Sequence, residues 1–327
     1  MSGIQSISIE NFRGFYAKQT IELSAPSGSY GSGLTVFVGP NNSGKTTVID
    51  ALKLLARTNV TIDIEHRHEN ERMVISSADA SGRTKSITNP DGGAVTDNLG
   101  DKLAMPNTNT LRFVPSRRAW NAYSSMQPMN TQNYWANIYQ RDQNQIDDLF
   151  VSRIAEIAVN EKEKFHEILE NAFPRIQNWN VERSRGQLFI QYETPTGARH
   201  SADLFGDGMA SVFRLALSIY DCKEGQCLVI DEPELSLHPQ AQKRLASYLS
   251  RIASNRQVIV TTHSPYMINL GDLANGGKVY RLAQNQDGVR VYSISTDTLA
   301  ILIRLLTDWQ KPNLLDLSRA KSSLRRR

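Results

Sequence analysis

Apolar and polar residues alternate from Ile4 to Glu10, which predicts a half-buried β-strand. Asn11-Phe12-Arg13-Gly14 supplies turn residues and alternation resumes from Ala17 to Leu23, so the chain is expected to open on a hairpin. Leu34 to Val38 is a short uninterrupted apolar run, the pattern of a strand covered on both faces. A glycine-bounded loop follows, and Thr46 to Leu55 carries apolar residues at helical spacing. From 59 to 110 the character changes. Turns such as Ser81-Gly82 and Asp91-Gly92-Gly93 separate short β-like pieces with no helical period.

Leu111 to Val114 reads as a strand stopped by Pro115, and the Asn-, Gln-, Tyr- and Trp-rich stretch Trp120 to Gln145 reads as a long loop or an irregular interaction segment. Ile146 to Phe173 follows one helical pattern ended by Pro174. Gln187 to Glu193 alternates as a strand, with Pro195-Thr196-Gly197 as its turn. The last third alternates element types: helix at Met209–Tyr220, strand at Cys227–Ile230, helix at Pro239–Ile252, strand at Val258–Thr262, and a closing hairpin from Val279–Leu282 and Val289–Ile294. Such alternation predicts a parallel sheet with helices on both faces.

The 327 residues, 40% hydrophobic and 21% charged, suffice for a large core. Length alone suggests roughly two domains, although α/β folds also reach this size as one. The net charge of +4 permits nucleic acid as a partner without demanding it. Cys222 and Cys227 are not spaced as C-x-x-C and are expected to be plain thiols rather than a redox or metal pair. The N-terminus lacks an apolar core of signal-peptide length, and no run reaches the roughly 18 apolar residues of a membrane span. The expectation is a cytoplasmic protein without a membrane partner.

Gly39-Pro40-Asn41-Asn42-Ser43-Gly44-Lys45-Thr46 fits the phosphate-loop pattern G-x-x-x-x-G-K-[ST], and it sits between an apolar strand and a helix, as that motif requires. Phosphate oxygens are met by backbone amides, so glycines permit close approach, and the helix that follows presents its positive end to the anion. Lys45 is expected to reach the β- and γ-phosphates, Thr46 to ligate Mg²⁺, and Thr47 to continue the binding segment. The implied ligands are ATP and Mg²⁺.

Cys227-Leu228-Val229-Ile230-Asp231-Glu232 is an apolar strand ending in two carboxylates. On its own this also describes a strand meeting a charged turn. Beside a phosphate loop it places Asp231 to hold Mg²⁺ and Glu232 to polarise the attacking water, at the carboxyl edge where α/β sheets bind ligands. Val258 to Thr262 ends in His263-Ser264-Pro265, where His263 is a candidate γ-phosphate contact. His66-Arg67-His68 has no matching cluster and reads as a polar turn. The basic C-terminal residues Arg319, Lys321 and Arg325 to Arg327 read first as a solvated tail.

In this order, the phosphate loop, Asp231-Glu232-Pro233-Glu234-Leu235-Ser236-Leu237-His238-Pro239 and Thr262-His263-Ser264-Pro265 resemble the ABC-type ATPase heads of the OLD, RecF and SMC group. The opening Ile7-Ser8-Ile9-Glu10-Asn11-Phe12-Arg13-Gly14-Phe15 resembles the start of those proteins too. The resemblance covers 1–58 and 200–295. It implies that Glu232 is the catalytic carboxylate, His263 the switch histidine, and Glu234 to His238 a dimer-facing D-loop. It also implies a signature loop that caps the γ-phosphate of the opposite subunit, here Leu204 to Ser211 with Gly206 and Gly208. Gly206 stands where that loop carries serine. For the Q-loop, Pro115-Ser116-Arg117-Arg118 offers Arg117 or simply a solvated basic turn.

The expected fold class is therefore α/β, a P-loop NTPase of ABC-ATPase type, with a mostly parallel core sheet, an antiparallel β subdomain and a helical insertion. One ATPase domain spans 1–327, with its core in 1–58 and 200–295, an insertion over 59–199 and a tail from 296. The resemblance implies a homodimer with ATP sandwiched between heads, and possible higher assembly. OLD-family proteins join such a head to a Toprim nuclease, and this chain ends about where that domain would begin. The expectation is a sensor or scaffold that controls a separately encoded effector, in phage defence, and does not itself cut DNA. The rivals are a RecF- or SMC-like DNA-binding repair ATPase and, against the divergent signature, a transporter ATPase subunit.

Overall fold

The computed structural model describes residues 3–56, 72–89, 96–98, 110–116, 123–124, 128–138, 143–201 and 207–296. The chain runs β1 (Ile4–Glu10), β2 (Gln19–Glu22), β3 (Leu34–Val38) and α1 (Lys45–Ala56). Short strands follow: β4 (Met73–Asp79), β5 (Thr84–Asn89), β6 (Thr96–Asn98), β7 (Leu111–Val114) and β8 (Tyr123–Ser124). Next come α2 (Thr131–Ile138), α3 (Gln143–Asn160), α4 (Lys162–Ala172), β9 (Asn178–Ser184), β10 (Gln187–Glu193) and β11 (Arg199–Ser201). The last part holds α5 (Asp207–Asp221), β12 (Cys227–Asp231), α6 (Pro239–Ile252), β13 (Gln257–Thr262), α7 (Leu270–Ala274), β14 (Lys278–Asn285) and β15 (Gly288–Ser293).

Six strands form the central sheet in the order β15-β14-β3-β13-β12-β7. All its pairings are parallel except β14 with β15. The apolar runs of β3, β12 and β13 are continuous because each strand feeds two cores. Val36, Leu228, Ile230, Val258 and Val260 point into the core built with α3 to α6. Their alternate neighbours Phe37, Cys227, Val229 and Ile259 point into the core built with α1 and the β1–β2 hairpin. Period-two side-chain alternation and two apolar faces together require an unbroken hydrophobic strand.

A second, antiparallel sheet is ordered β2-β1-β4-β5-β6, so β1 pairs with both its hairpin partner and β4. A third joins β8 to β11, with β9 and β11 both antiparallel to β10. The α/β class with a mostly parallel core sheet and antiparallel sheets beside it is thus present. Both cysteines are buried free thiols, and burial pushes the Cys222 thiol up to about 11. Among the described residues no helix is long and apolar enough to cross a membrane. His66 to His68, Arg117 and Arg118, and the C-terminal basic residues lie outside the described residues.

Two local expectations change. The single helical pattern of 146–173 is broken at Glu161 into α3 and α4. The apolar period lapses between Ala158 and Phe165, leaving Val159 exposed, and the break turns Phe165 against Trp179 with ring centroids 5.1 Å apart. The Asn- and Gln-rich stretch contains a helix, α2, whose Trp135 is buried. A buried carboxylate explains that helix's place. Asp221, at the end of α5, accepts from Trp135 Nε1 at 2.9 Å, Arg153 Nη2 at 2.6 Å and Thr131 Oγ1 at 3.2 Å.

The Arg153 and Asp221 side chains are only 2% and 1% exposed. Removing one partner of such a pair strands a buried charge and costs about 3–5 kcal/mol. Asp221→Ala should therefore lower the unfolding free energy by that amount in denaturant titrations, and a loss under ~1 kcal/mol would contradict this view of the pair.

Candidate functional site

Register brings three loops together. Val38 pairs with Thr262, Phe37 with Thr261, and Thr261 with Asp231, so β3, β13 and β12 end at nearly the same level of the sheet. Gly39, His263 and Glu232 are the next residues along each strand. Pieces more than 200 residues apart in sequence thus meet at one carboxyl edge, the place where parallel sheets bind ligands.

The loop from Gly39 to Thr46 carries Pro40, Asn41, Asn42 and Thr46 exposed, while Ser43 and Lys45 are buried. Asn42 and Gly44 both have positive φ, 62° and 96°. At Gly44 a Cβ would also lie 2.9 Å from Val289 Cγ2, so a side chain there is opposed by both backbone and packing. Lys45 is 4% exposed, and its ammonium donates to the carbonyls of Gly39 and Pro40, each at 2.9 Å. Thr47, the second threonine of α1, is buried beneath the loop's exit. Ser43 Oγ is buried with no hydrogen-bond partner among the described residues. Such an orphan inside a glycine-bounded loop calls for an external partner such as a phosphate oxygen.

Glu232 follows β12 with φ at 46°, a region a side-chain-bearing residue enters rarely and chiefly at functional sites. Strand β13 holds it there. The Glu232 amide donates to Thr261 O at 3.0 Å and to Thr261 Oγ1 at 3.2 Å. The same Thr261 hydroxyl donates to Asp231 Oδ1 at 2.5 Å. One threonine thus fixes the Asp231 carboxylate and the Glu232 backbone. Glu232 Oε1 stands 3.9 Å from Lys45 Nζ and 3.7 Å from His263 Nδ1. The structure brings Lys45, Asp231, Glu232 and His263 into one cluster.

In the turn from Glu234 to His238, Ser236 and His238 are exposed, whereas Glu234 is 3% exposed and turned inward. Gln242 of α6 braces this region. It accepts from Ser264 Oγ at 2.6 Å and donates to Leu237 O at 2.8 Å, tying the turn to the His263 loop. His238 caps α6 by accepting from Gln240 N at 3.3 Å, with Pro239 in the first helical position. Thr261 and Gln242 were missed by motif reading, and Glu234 was read only as part of the D-loop, because their contacts run to distant parts of the chain and no spacing rule marks that.

Gly208 lies at the start of α5, where a Cβ would stand 2.6 Å from Ser236 O. The glycine lets this helix end rest on the Glu234–His238 turn. Gly206 lies outside the described residues. Among the described residues no group of three or more His, Cys, Asp or Glu side chains forms a metal cage by itself. Magnesium beside phosphates needs no such cage, since it keeps waters and takes one or two protein ligands. The donors present, a threonine hydroxyl in α1 and the Asp231 carboxylate, fit that ion.

Comparison with known proteins bears on the fold that carries these residues. A sequence-family profile described as "AAA domain, putative AbiEii toxin, Type IV TA system" matches residues 136–269, and one described as "AAA ATPase domain" matches residues 3–99. No curated protein matches. Among solved structures, the SMC head domain from Thermotoga maritima is similar at a TM-score of 0.54 and 16% identity, covering 89% of this chain and 99% of that one. The Smc head of Pyrococcus furiosus, bound to the C-terminal domain of ScpA, reaches 0.60 at 15% identity, covering 95% and 100%. That of Pyrococcus yayanosii reaches 0.60 at 10%, covering 94% and 100%. The phosphate loop, the carboxylate strand and the strand-end histidine sit on one sheet edge in an architecture those heads share, and the fold of this chain is that of an SMC-head-like P-loop ATPase.

Proposed function

We propose that this chain binds ATP with Mg²⁺ at the carboxyl edge of the central sheet and hydrolyses it, and that nucleotide binding pairs two copies head to tail. The observation that carries the reading is the position of Glu232 Oε1 within 3.9 Å of Lys45 Nζ and 3.7 Å of His263 Nδ1, beside a phosphate loop. The amides of Gly39 to Thr46 and the N-terminus of α1 would bind the triphosphate. Lys45 would exchange its two carbonyls for β- and γ-phosphate oxygens. Thr46 and Asp231 would hold magnesium, which supplies charge neutralisation on the phosphate when bound. Glu232 orients the attacking water and accepts its proton, and His263 meets the terminal phosphate. Catalysis of this kind is mostly positioning and electrostatics.

In the dimer each copy contributes its phosphate loop to one site and its Gly206–Gly208 segment to the other, which is the head-to-tail use of a two-fold axis. The exposed Ser236 and His238 would lie at that junction. The cycle would control a separately encoded effector. Two findings support this part: the profile matching 136–269 is described with a Type IV TA system, and the Pyrococcus furiosus head was solved with a second protein bound. A role in antiviral defence follows from the same reading.

Lys45→Ala should weaken ATP binding at least tenfold by calorimetry, because it deletes the cation that faces two phosphates; unchanged affinity would remove the phosphate-loop assignment. Glu232→Gln should bind ATP as the parent does, hydrolyse it roughly 100-fold more slowly or worse, and accumulate as a dimer in ultracentrifugation with ATP. Turnover by Glu232→Gln at the parental rate would contradict the catalytic assignment.

A further inference from the structure

Two carboxylates compete for the same ring nitrogen. His263 Nδ1 lies 3.3 Å from Glu234 Oε1 and 3.7 Å from Glu232 Oε1. The first is the nearer, at the edge of hydrogen-bond distance. Glu234 Oε1 also accepts from the His263 backbone amide at 2.8 Å, so one oxygen bonds the main chain and faces the ring of the same residue. The Glu234 side chain is 2% exposed, and its Oε2 has no hydrogen-bond partner among the described residues. Within those residues, the hydrogen bond this carboxylate accepts comes from the His263 backbone, and its ion-pair partner is the His263 ring. Burying a carboxylate is costly, and a group buried for packing alone would be apolar.

We infer that Glu234 is a positioning residue for His263: it holds the Nδ1 proton, sets the tautomer, and directs Nε2 to the phosphate side. This rests on the reading of the site as an ATPase. The Nδ1 proton goes to Glu234 instead of Glu232, the candidate base one turn away. With Nδ1 committed, Nε2 accepts when the ring is neutral and donates to an anionic oxygen when the ring takes a second proton. A ring nitrogen's chemistry is set in this way by the bond the other nitrogen makes. The backbone bond fixes where the ring starts, and Gln242, bonded to Ser264 Oγ, fixes the loop just beyond it. The ring itself is 46% exposed, and among the described residues the nearest carboxylate to orient it is that of Glu234.

The test uses the full chain labelled with ¹⁵N-histidine and free of nucleotide, at a pH well above the ordinary histidine pKa of about 6.5. Long-range ring correlations distinguish Nδ1–H from Nε2–H, and the His263→Gln spectrum assigns the signal among the six histidines. The parent should show the Nδ1–H form at His263. Glu234→Gln, whose amide oxygen can still accept both N–H groups, should keep it. Glu234→Ala should revert to the solution mixture in which Nε2–H predominates. In the ATPase assay Glu234→Ala should lose about 10–100-fold in kcat, the usual scale for a partner that orients a functional histidine, with KM for ATP within about twofold, and Glu234→Gln should recover most of the loss. An Nε2–H form in the parent, or ring signals unmoved in Glu234→Ala, would overturn the inference. The parent spectrum decides even if Glu234→Ala fails to fold. A parent that shows the Nδ1–H form yet lacks ATPase activity would remove the proposed function and leave this placement of the proton standing.

Discussion

An ammonium taken out of water must be compensated, and Lys45 is almost wholly buried with two backbone carbonyls of its own loop as its hydrogen-bond acceptors. The carboxylate of Glu232 stands close enough to feel that charge but too far to bond it. The loop from Gly39 to Thr46 is therefore closed around a buried cation by its own backbone, with Glu232 as the nearby carboxylate. The left-handed backbone at Asn42 and Gly44, the unpartnered Ser43 hydroxyl and the tight turn at Glu232 all surround that charge. At Asn42 and Glu232 the positive φ is a cost that a side-chain-bearing residue meets chiefly at functional sites.

The rest of the architecture serves to keep that edge in register. Parallel pairing of β3, β13 and β12 sets the ends of the three strands level, and Thr261 then passes the position of β13 on to Asp231 and Glu232. Beneath the edge, the two cores on opposite faces of the sheet make a shift of one strand against its neighbour expensive, since a slip of one residue would exchange every side chain between them. The buried Arg153–Asp221 pair plays a comparable part farther away, fixing α2 and α3 against the end of α5.

Much of this was legible in the residues themselves. The continuous runs of β3, β12 and β13 announced strands buried on both faces, and the phosphate loop and Asp231-Glu232 marked the edge, because those features depend on local spacing. The break at Glu161 was not legible, since a helical period continues to look apolar on either side of a short polar gap. Helix α2 was hidden because Asn, Tyr and Trp carry weak helix signals, and its place is fixed by Trp135 reaching a carboxylate 86 residues away. At the site, Thr261 and the contact of Glu234 with His263 escaped notice for a related reason. Their roles are defined by contacts across about 30 residues, and a threonine in a strand or a glutamate in a turn has no pattern of its own.

The most direct measurement is a crystal structure with magnesium and a non-hydrolysable ATP analogue. The account predicts a triphosphate lying along Gly39 to Thr46, with the Lys45 ammonium moved off the Gly39 and Pro40 carbonyls onto phosphate oxygens. An analogue bound elsewhere, with Lys45 still resting on those two carbonyls, would contradict it.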